Sequence, residues 1–347
     1  MNGRRGGATF LLSLLLSVGL VAFLLSRIEL ADLTRTLAGI YLPSLAGYVV
    51  LALLAAGLRA ARYRVLIGAE RVRFRPILLV TLIRNLFVDL LPAGLGSLSY
   101  IYLVVRRLGL PLPLATSTFV LAAVFDALAL SPLLLLAILV VGLGGSVVSG
   151  PQFAAAAAGF LLLVVVLLVF LVPVLRGGLA VAVRLLEAVG LGARWRVPDL
   201  VEKARLSVVA VDEIQRRGVY TTAFVVSFLL RLAKYGSLYF LLHALLANQG
   251  FPLATLSFWK VLLGIAAAEL SANLPIQGLA GLGTWETAFA LAFRVMGYEE
   301  KVAIVAGLGL HLVTQVFEYG LGGLAILLLA WQPRRRPPGT GQSARAA

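Results

Sequence analysis

Of 347 residues, 61% are hydrophobic and 13% charged, and the mean hydropathy is +1.01. A soluble domain carries about 25% charged residues, so soluble enzymes are excluded and the chain is an integral membrane protein. The formal net charge of +15 is first explained by membrane orientation rather than by nucleic acid, which is not an expected partner. The absence of cysteine and the presence of only His243 and His311 rule out disulfides, iron-sulfur clusters, thiol nucleophiles and a His-rich metal site. No cofactor is expected.

In chain order, the uncharged run 8–26 is long enough to cross a bilayer and lacks small-residue cleavage spacing behind it, so it should persist as a helix rather than leave as a signal peptide. A second helix is predicted over 36–58, followed by Arg59, Arg62, Arg64, Arg71, Arg73 and Arg75. Residues 76–91 and 97–105 flank a Pro92-Ala-Gly-Leu-Gly96 break and read as a hairpin that enters and leaves from the cytoplasm. Long helices follow at 114–141 and 153–175. The segment 176–217, with eight Lys/Arg and five Asp/Glu, reads as a cytoplasmic loop with short surface helices. Beyond it come a crossing at 218–247, a second broken segment at 254–274 and 284–296, and a last helix at 301–331. On this assignment 22 of 30 basic residues are cytoplasmic, three external and five intramembrane, which sets both termini inside.

The two breaks share a pattern: Asn85 before Leu-Pro-Ala-Gly-Leu-Gly, and Asn273-Leu-Pro before Gly-Leu-Gly. Their charge-derived orientations are opposite. Unwound backbone cannot face lipid without a cost of several kcal/mol for each unpaired group, so paired breaks point to a site between inverted repeats. The expected fold is an all-α polytopic bundle, a single domain over 1–332 with repeats at about 36–142 and 218–331, two oppositely oriented re-entrant hairpins, and a tail at 333–347. Short kinked helices that all cross fully are the plainer alternative.

Ten ionisable groups fall within the expected spans: Arg84, Asp89, Asp126, Arg231, Lys234, Lys260, Glu269, Glu286, Arg294 and Glu318. A charge at the bilayer centre costs at least about 2.5 kcal/mol, so these should face inward and pair, with Arg294 and Lys260 free to snorkel. Asn85 and Asp89 are spaced i,i+4, and Glu269 and Asn273 repeat that spacing. Arg231 and Lys234 form an i,i+3 cationic patch. His311, Gln315 and Glu318 share one face of the last helix, while Asp126 stands alone in its span. Either a salt-bridge lattice that holds the bundle or a polar cavity for a charged head group would use these residues.

Enzymatic signals are weak. No strand precedes the glycine-rich breaks, no Lys-Ser/Thr follows them, and no Gly-x-Ser-x-Gly elbow accompanies either histidine. At the breaks the chain resembles the lysylphosphatidylglycerol synthase transmembrane family, also called the flippase-like domain family, over roughly 8–331. Asn85, Leu91, Pro92 and Gly96 match its first motif, with Ser97 and Tyr100 where Glu and Arg are usual. Phe125-Asp126 resembles its Asp-containing segment, with Ala122 and Ala123 in place of Glu-Arg. Pro275, Gly281, Leu282, Gly283 and Glu286 resemble its second motif.

The resemblance implies lipid translocation in a bacterial or archaeal cell membrane. Members that make lysylphosphatidylglycerol carry an added soluble domain, for which the short tail leaves no room, so synthesis is not expected. A membrane phospholipid or other polar-headed lipid is the expected substrate. Asn85, Asp89, Asp126, Arg231, Lys234, Glu269, Asn273, Glu286 and Glu318 are expected around one cavity, with Arg231 and Lys234 on the lipid phosphate and acidic groups on a cationic substituent or coupled proton. The alternative is a non-transporting scaffold or regulator of a lipid- or glycan-modifying enzyme.

Overall fold

The computed structural model describes residues 17–91, 95–143, 197–271 and 281–331, with isolated positions at 15, 159, 170, 173, 177 and 181. The expected crossing at 153–175 and Asn273 lie outside the described residues. The first apolar run is helical from Ser17 to Leu25. Ten further α-helices follow among the described residues: α1 (Leu30–Ala38), α2 (Leu42–Ile67), α3 (Phe74–Leu90), α4 (Leu98–Leu108), α5 (Leu112–Leu143), α6 (Val197–Arg216), α7 (Tyr220–Leu246), α8 (Phe258–Ser271), α9 (Thr284–Val295) and α10 (Glu300–Ala330). The described residues contain no strand, as hydrophobic runs without period-two alternation require.

Four of these helices, α2, α5, α7 and α10, are long and apolar enough to cross a membrane. At 1.5 Å per residue, α3, α4, α8 and α9 are only about 16 to 26 Å long, less than a hydrocarbon core of about 30 Å. Leu53, Leu54, Leu136, Val140, Leu229, Leu312, Val316 and Leu327 point outward from the long helices, which would be unstable in water and is stable against lipid tails.

The centre of the fold is the antiparallel pair α2 and α7. Ser44 Oγ and His243 Nδ1 lie 2.7 Å apart at one end. Gly47 backs onto the Phe240 ring, and Gly236 onto Leu51, so missing side chains let the helices approach. At the other end the Arg217 guanidinium donates to the carbonyls of Val65 (2.8 Å), Leu66 (3.2 Å) and Ile67 (3.1 Å). Those carbonyls would otherwise be orphans of the helix C-terminus, and a cation there also meets the negative end of the helix dipole.

Helices α8 and α9 form an antiparallel pair in which Gly264 faces Phe293 and the Ser271 hydroxyl reaches the Thr284 carbonyl at 3.3 Å. Helix α9 packs antiparallel on α10, with Phe289 against Gly307. Helices α3 and α4 pack on each other, and α3 lies along α10, where Leu86 fills the space at Gly322. Gly109, with φ of 69°, ends α4 in the left-handed region that a side chain resists.

Buried apolar residues divide into two clusters. One gathers Tyr63, Ile77, Val80, Tyr100, Phe125, Ala223 and Ala325; the other gathers Tyr48, Tyr235, Leu242, Ile265, Phe289, Phe293 and Leu310. Along α7 the division falls between Ala223 and Tyr235, and along α10 between Leu310 and Ala325. Arg231, Lys234 and Glu318 occupy those gaps.

Two segments differ from the sequence reading. Helix α2 starts later than 36 and runs on to Ile67, so Arg59, Arg62 and Arg64, counted above with the cytoplasmic residues, sit on a spanning helix. The helix continues through them because each finds a partner: Asn85, Asp126, and the carbonyls of Val72 and Ala69. Within 176–217, the described residues hold a 20-residue helix, α6, longer than the short surface helices expected, together with helical positions at 177 and 181.

Candidate functional site

Between the two apolar clusters runs a ladder of ion pairs across four helices. Arg62 on α2, 1% exposed, donates two hydrogen bonds to Asp126 on α5, at 2.8 and 3.1 Å. This is the bidentate fork that guanidinium and carboxylate geometry favours. Arg62 also donates to Ser227 Oγ at 3.2 Å. Asp126 lies 3.4 Å from Arg231 on α7, and Arg231 lies 3.6 Å from Glu269 on α8. Glu269 ends the ladder with Lys234 at 2.6 Å and the Tyr235 hydroxyl at 3.0 Å. From Ser227 to Lys234 the ladder climbs about 10 Å along α7. The Arg62–Ser227 end is sealed, while Asp126, Glu269 and Lys234 keep 23 to 30% of their side-chain surface.

A second polar group sits beside the ladder, one turn earlier on the same face of α2. Arg59 Nη1 donates to Asn85 Oδ1 at 2.6 Å, and Arg84 Nη1 approaches the same oxygen at 3.4 Å. Glu318 on α10 lies close to the Asn85 amide and to Asp89. Asp89 lies within electrostatic reach of Arg59, Arg84, Lys234 and His311, yet makes no hydrogen bond or ion pair among the described residues. Glu318 Oε2 is buried with no hydrogen-bond partner.

Glu286 has a different place. It is 1% exposed; one oxygen accepts the Gly283 N–H at 2.8 Å and the other lies 2.6 Å from His311 Nδ1. His311 Nε2 is in turn 3.0 Å from Gln315 Nε2. Glu286 thereby caps the start of α9 and ties it to α10, where Gly283 takes a φ of 86° that an L side chain rarely adopts. It reaches the ladder only indirectly, through His311 and Asp89.

Of the sequence-predicted residues, then, Asp126, Arg231, Lys234 and Glu269 form the ladder, Asn85, Asp89 and Glu318 form the second group, and Glu286 caps a helix. Asp126, alone within its own span, is paired with two arginines from two other helices. Lys260 and Arg294 stay apart from the site: Lys260 Nζ donates to the Met296 carbonyl at 2.9 Å and stands over the Tyr298 ring, and Arg294 pairs with Glu300 at 3.3 Å. Sequence reasoning missed Arg59 and Arg62. The signal was present, since both recur at i,i+3 on α2 as Arg231 and Lys234 do on α7, and Arg62 matches the only charge on α5.

At the α1 end a separate clasp closes the bundle. Lys301 Nζ lies 2.8 Å from Asp32 Oδ2, Asn248 donates to the Gly39 carbonyl at 2.6 Å, and Gln249 donates to Thr36 at 2.6 Å. The Lys301 hydrogen bond holds the Asp32 carboxyl below its usual range. These residues line a cavity of about 340 Å³ that does not touch the ladder. Among the described residues no group of three or more His, Asp or Glu could hold a metal ion.

No curated protein and no solved structure matches the chain. The family model described as "Lysylphosphatidylglycerol synthase TM region" matches residues 10–322, which takes in every charged residue of the ladder and of the group around Asn85. The chain belongs to this family of membrane proteins.

Proposed function

We propose that the protein is a lipid translocase, moving a phospholipid or another polar-headed lipid between leaflets by passing the head group along the charged interior while the acyl chains stay in hydrocarbon. The observation that carries this reading is the ladder from Arg62 to Lys234, continuous over four helices and partly accessible from Asp126 to Lys234. A buried ion pair replaced by well-packed apolar residues is often no less stable, so bundle stability alone gives little reason to keep such a chain of charges. A head-group path does give one. Asp89 and Glu318 supply acceptors for a cationic substituent or a coupled proton. No covalent step is assigned to any residue.

In this reading α3/α4 and α8/α9 are oppositely oriented re-entrant hairpins of an inverted repeat spanning about 36–142 and 218–331. Their short lengths and the antiparallel course of α2 and α7 support it, as does the matching i,i+3 placement of Arg59 with Arg62 and Arg231 with Lys234. The protein sits in a bacterial or archaeal cell membrane with both termini cytoplasmic, and a lipid-modifying enzyme that supplies its substrate is the fitting partner.

The test is reconstitution of purified protein into liposomes with fluorescent phospholipids and with its co-purified lipids, identified by mass spectrometry. Accelerated exchange between leaflets, reduced at least tenfold in Glu269→Gln with the fold intact, is the expected result. A wild-type protein that moves none of these lipids under several ion gradients would refute translocation and favour a scaffold.

A further inference from the structure

The ladder leaves the cations of the interior unequally satisfied. Arg62, Arg231 and Lys234 each have a carboxylate oxygen within 4 Å. Arg59 and Arg84 have none among the described residues; both converge on one neutral oxygen, Asn85 Oδ1. Two guanidinium groups carry ten N–H donors between them, and only two described hydrogen bonds use them. Arg84 Nε is buried without a partner. The two cations also stand close enough to repel each other. Asp89 and Glu318 act on these arginines only from beyond 4 Å, so neither guanidinium has a carboxylate in contact among the described residues; buried like charges without a contacting anion are costly, and a ligand anion seated between them lowers that cost.

We infer that Arg59 and Arg84, converging over Asn85, form the seat for the phosphate of a lipid head group. The donor geometry selects the ligand class. Two planar forks facing one region match an anion with several oxygens on one centre, as a phosphodiester has, better than a carboxylate or halide. The seat lies where the gap between the two apolar clusters reaches α3, beside Glu318 and Asp89. Arg231 and Lys234, the sequence's choice for the phosphate, are already held by Asp126 and Glu269. The use of the seat in transport rests on the translocation reading; phosphate binding there does not.

Asn85→Asp separates binding from structure, because it would put the missing carboxylate between the two arginines. The full-length protein in detergent is titrated with short-chain phosphatidylglycerol, with inorganic phosphate and with short-chain diacylglycerol, which lacks the phosphate. Phosphatidylglycerol affinity should fall at least tenfold in Arg59→Gln, Arg84→Gln and Asn85→Asp, while the melting temperature of Asn85→Asp rises. Arg216→Gln, an exposed change on α6, should bind as wild type, and diacylglycerol binding should be equal in all variants. Wild-type affinity for phosphatidylglycerol in Asn85→Asp overturns the seat. Inorganic phosphate binding as tightly as the lipid overturns its assignment to a head group. Liposome transport is scored separately: wild type that binds but does not move lipid removes translocation and leaves the seat, and transport unchanged in all three variants removes the seat and leaves translocation.

Discussion

Replacing Asp126 with Asn tests whether the ladder is a set of true charge pairs. The carboxylate receives both N–H groups of the Arg62 fork and faces Arg231 at 3.4 Å. After Asp126→Asn, Arg231 keeps Glu269 but Arg62, 1% exposed, keeps only neutral acceptors, the new amide oxygen and the Ser227 hydroxyl, while its second N–H meets an amide NH2. Neutral hydrogen bonds between membrane helices contribute little, about 0.6 kcal/mol on average, because the separated helices find other partners. A guanidinium finds no such partner in hydrocarbon. Breaking a buried pair from one side costs about 3–5 kcal/mol, which is two to three and a half decades in the unfolding equilibrium at about 1.4 kcal/mol per decade. The assay is reversible unfolding of the full chain in bicelles, by steric trapping or denaturing detergent. Arg62→Leu with Asp126→Leu should recover most of the loss, since it removes both charges. A loss below about 1 kcal/mol in Asp126→Asn, or a double variant as destabilised as the sum of its singles, refutes the reasoning.

Three further outcomes follow from local geometry. Arg217→Met strips three donors from the end of α2 and should cost about 1.5–3 kcal/mol, with faster amide exchange at 63–68 in the same preparation; unchanged exchange would show the carbonyls satisfied otherwise. Gly322→Ala drives a Cβ into the Leu86 side chain, whereas at Gly323 nothing lies within 4 Å, so thermal melting should show a loss of about 1–3 kcal/mol in the first and almost none in the second. Asp32, held low by Lys301, binds fewer protons folded than unfolded, so the stability it contributes is present above the ordinary Asp value of about 3.9 and is lost as pH falls through its lowered native value. Hydrogen exchange in α1 should therefore quicken on acidification below about pH 4, and Lys301→Met should abolish that dependence.

The positions of the spanning helices were legible because hydropathy and charge report directly on a low-dielectric solvent. Helices expected at 114–141, 218–247 and 301–331 emerge as α5, α7 and α10 with ends moved by a few residues. The error at α2 has a physical cause. The rule that sorts arginines to the cytoplasm assumes that a charge on a span is unpaired, and Arg59 and Arg62 find partners 26 and 64 residues away. Distant pairing is invisible to a count along the chain. Spacing did bring out Arg231 with Lys234 and Asn85 with Asp89, because faces of one helix are local properties. It could not separate Glu286 from them: a carboxylate three residues after a glycine break reads equally as a helix cap or as a cavity wall, and only the contacts to Gly283 and His311 decide.

The clamp of α2 to α7 bears on how the molecule could move. These two helices are fastened at one end by Ser44 with His243 and at the other by Arg217, with Arg62 and Ser227 joined about a turn inside the Arg217 end. A pair pinned at three heights cannot shear or part without breaking every pin, so it acts as a fulcrum rather than a gate. Other helix pairs also meet through bare backbone, where Gly264 meets Phe293 and Gly322 meets Leu86, but among the described residues neither pair is fastened at three heights as α2 and α7 are. Distances measured between labels on α2 and α7 should therefore stay constant under any condition that shifts the helices packed around them.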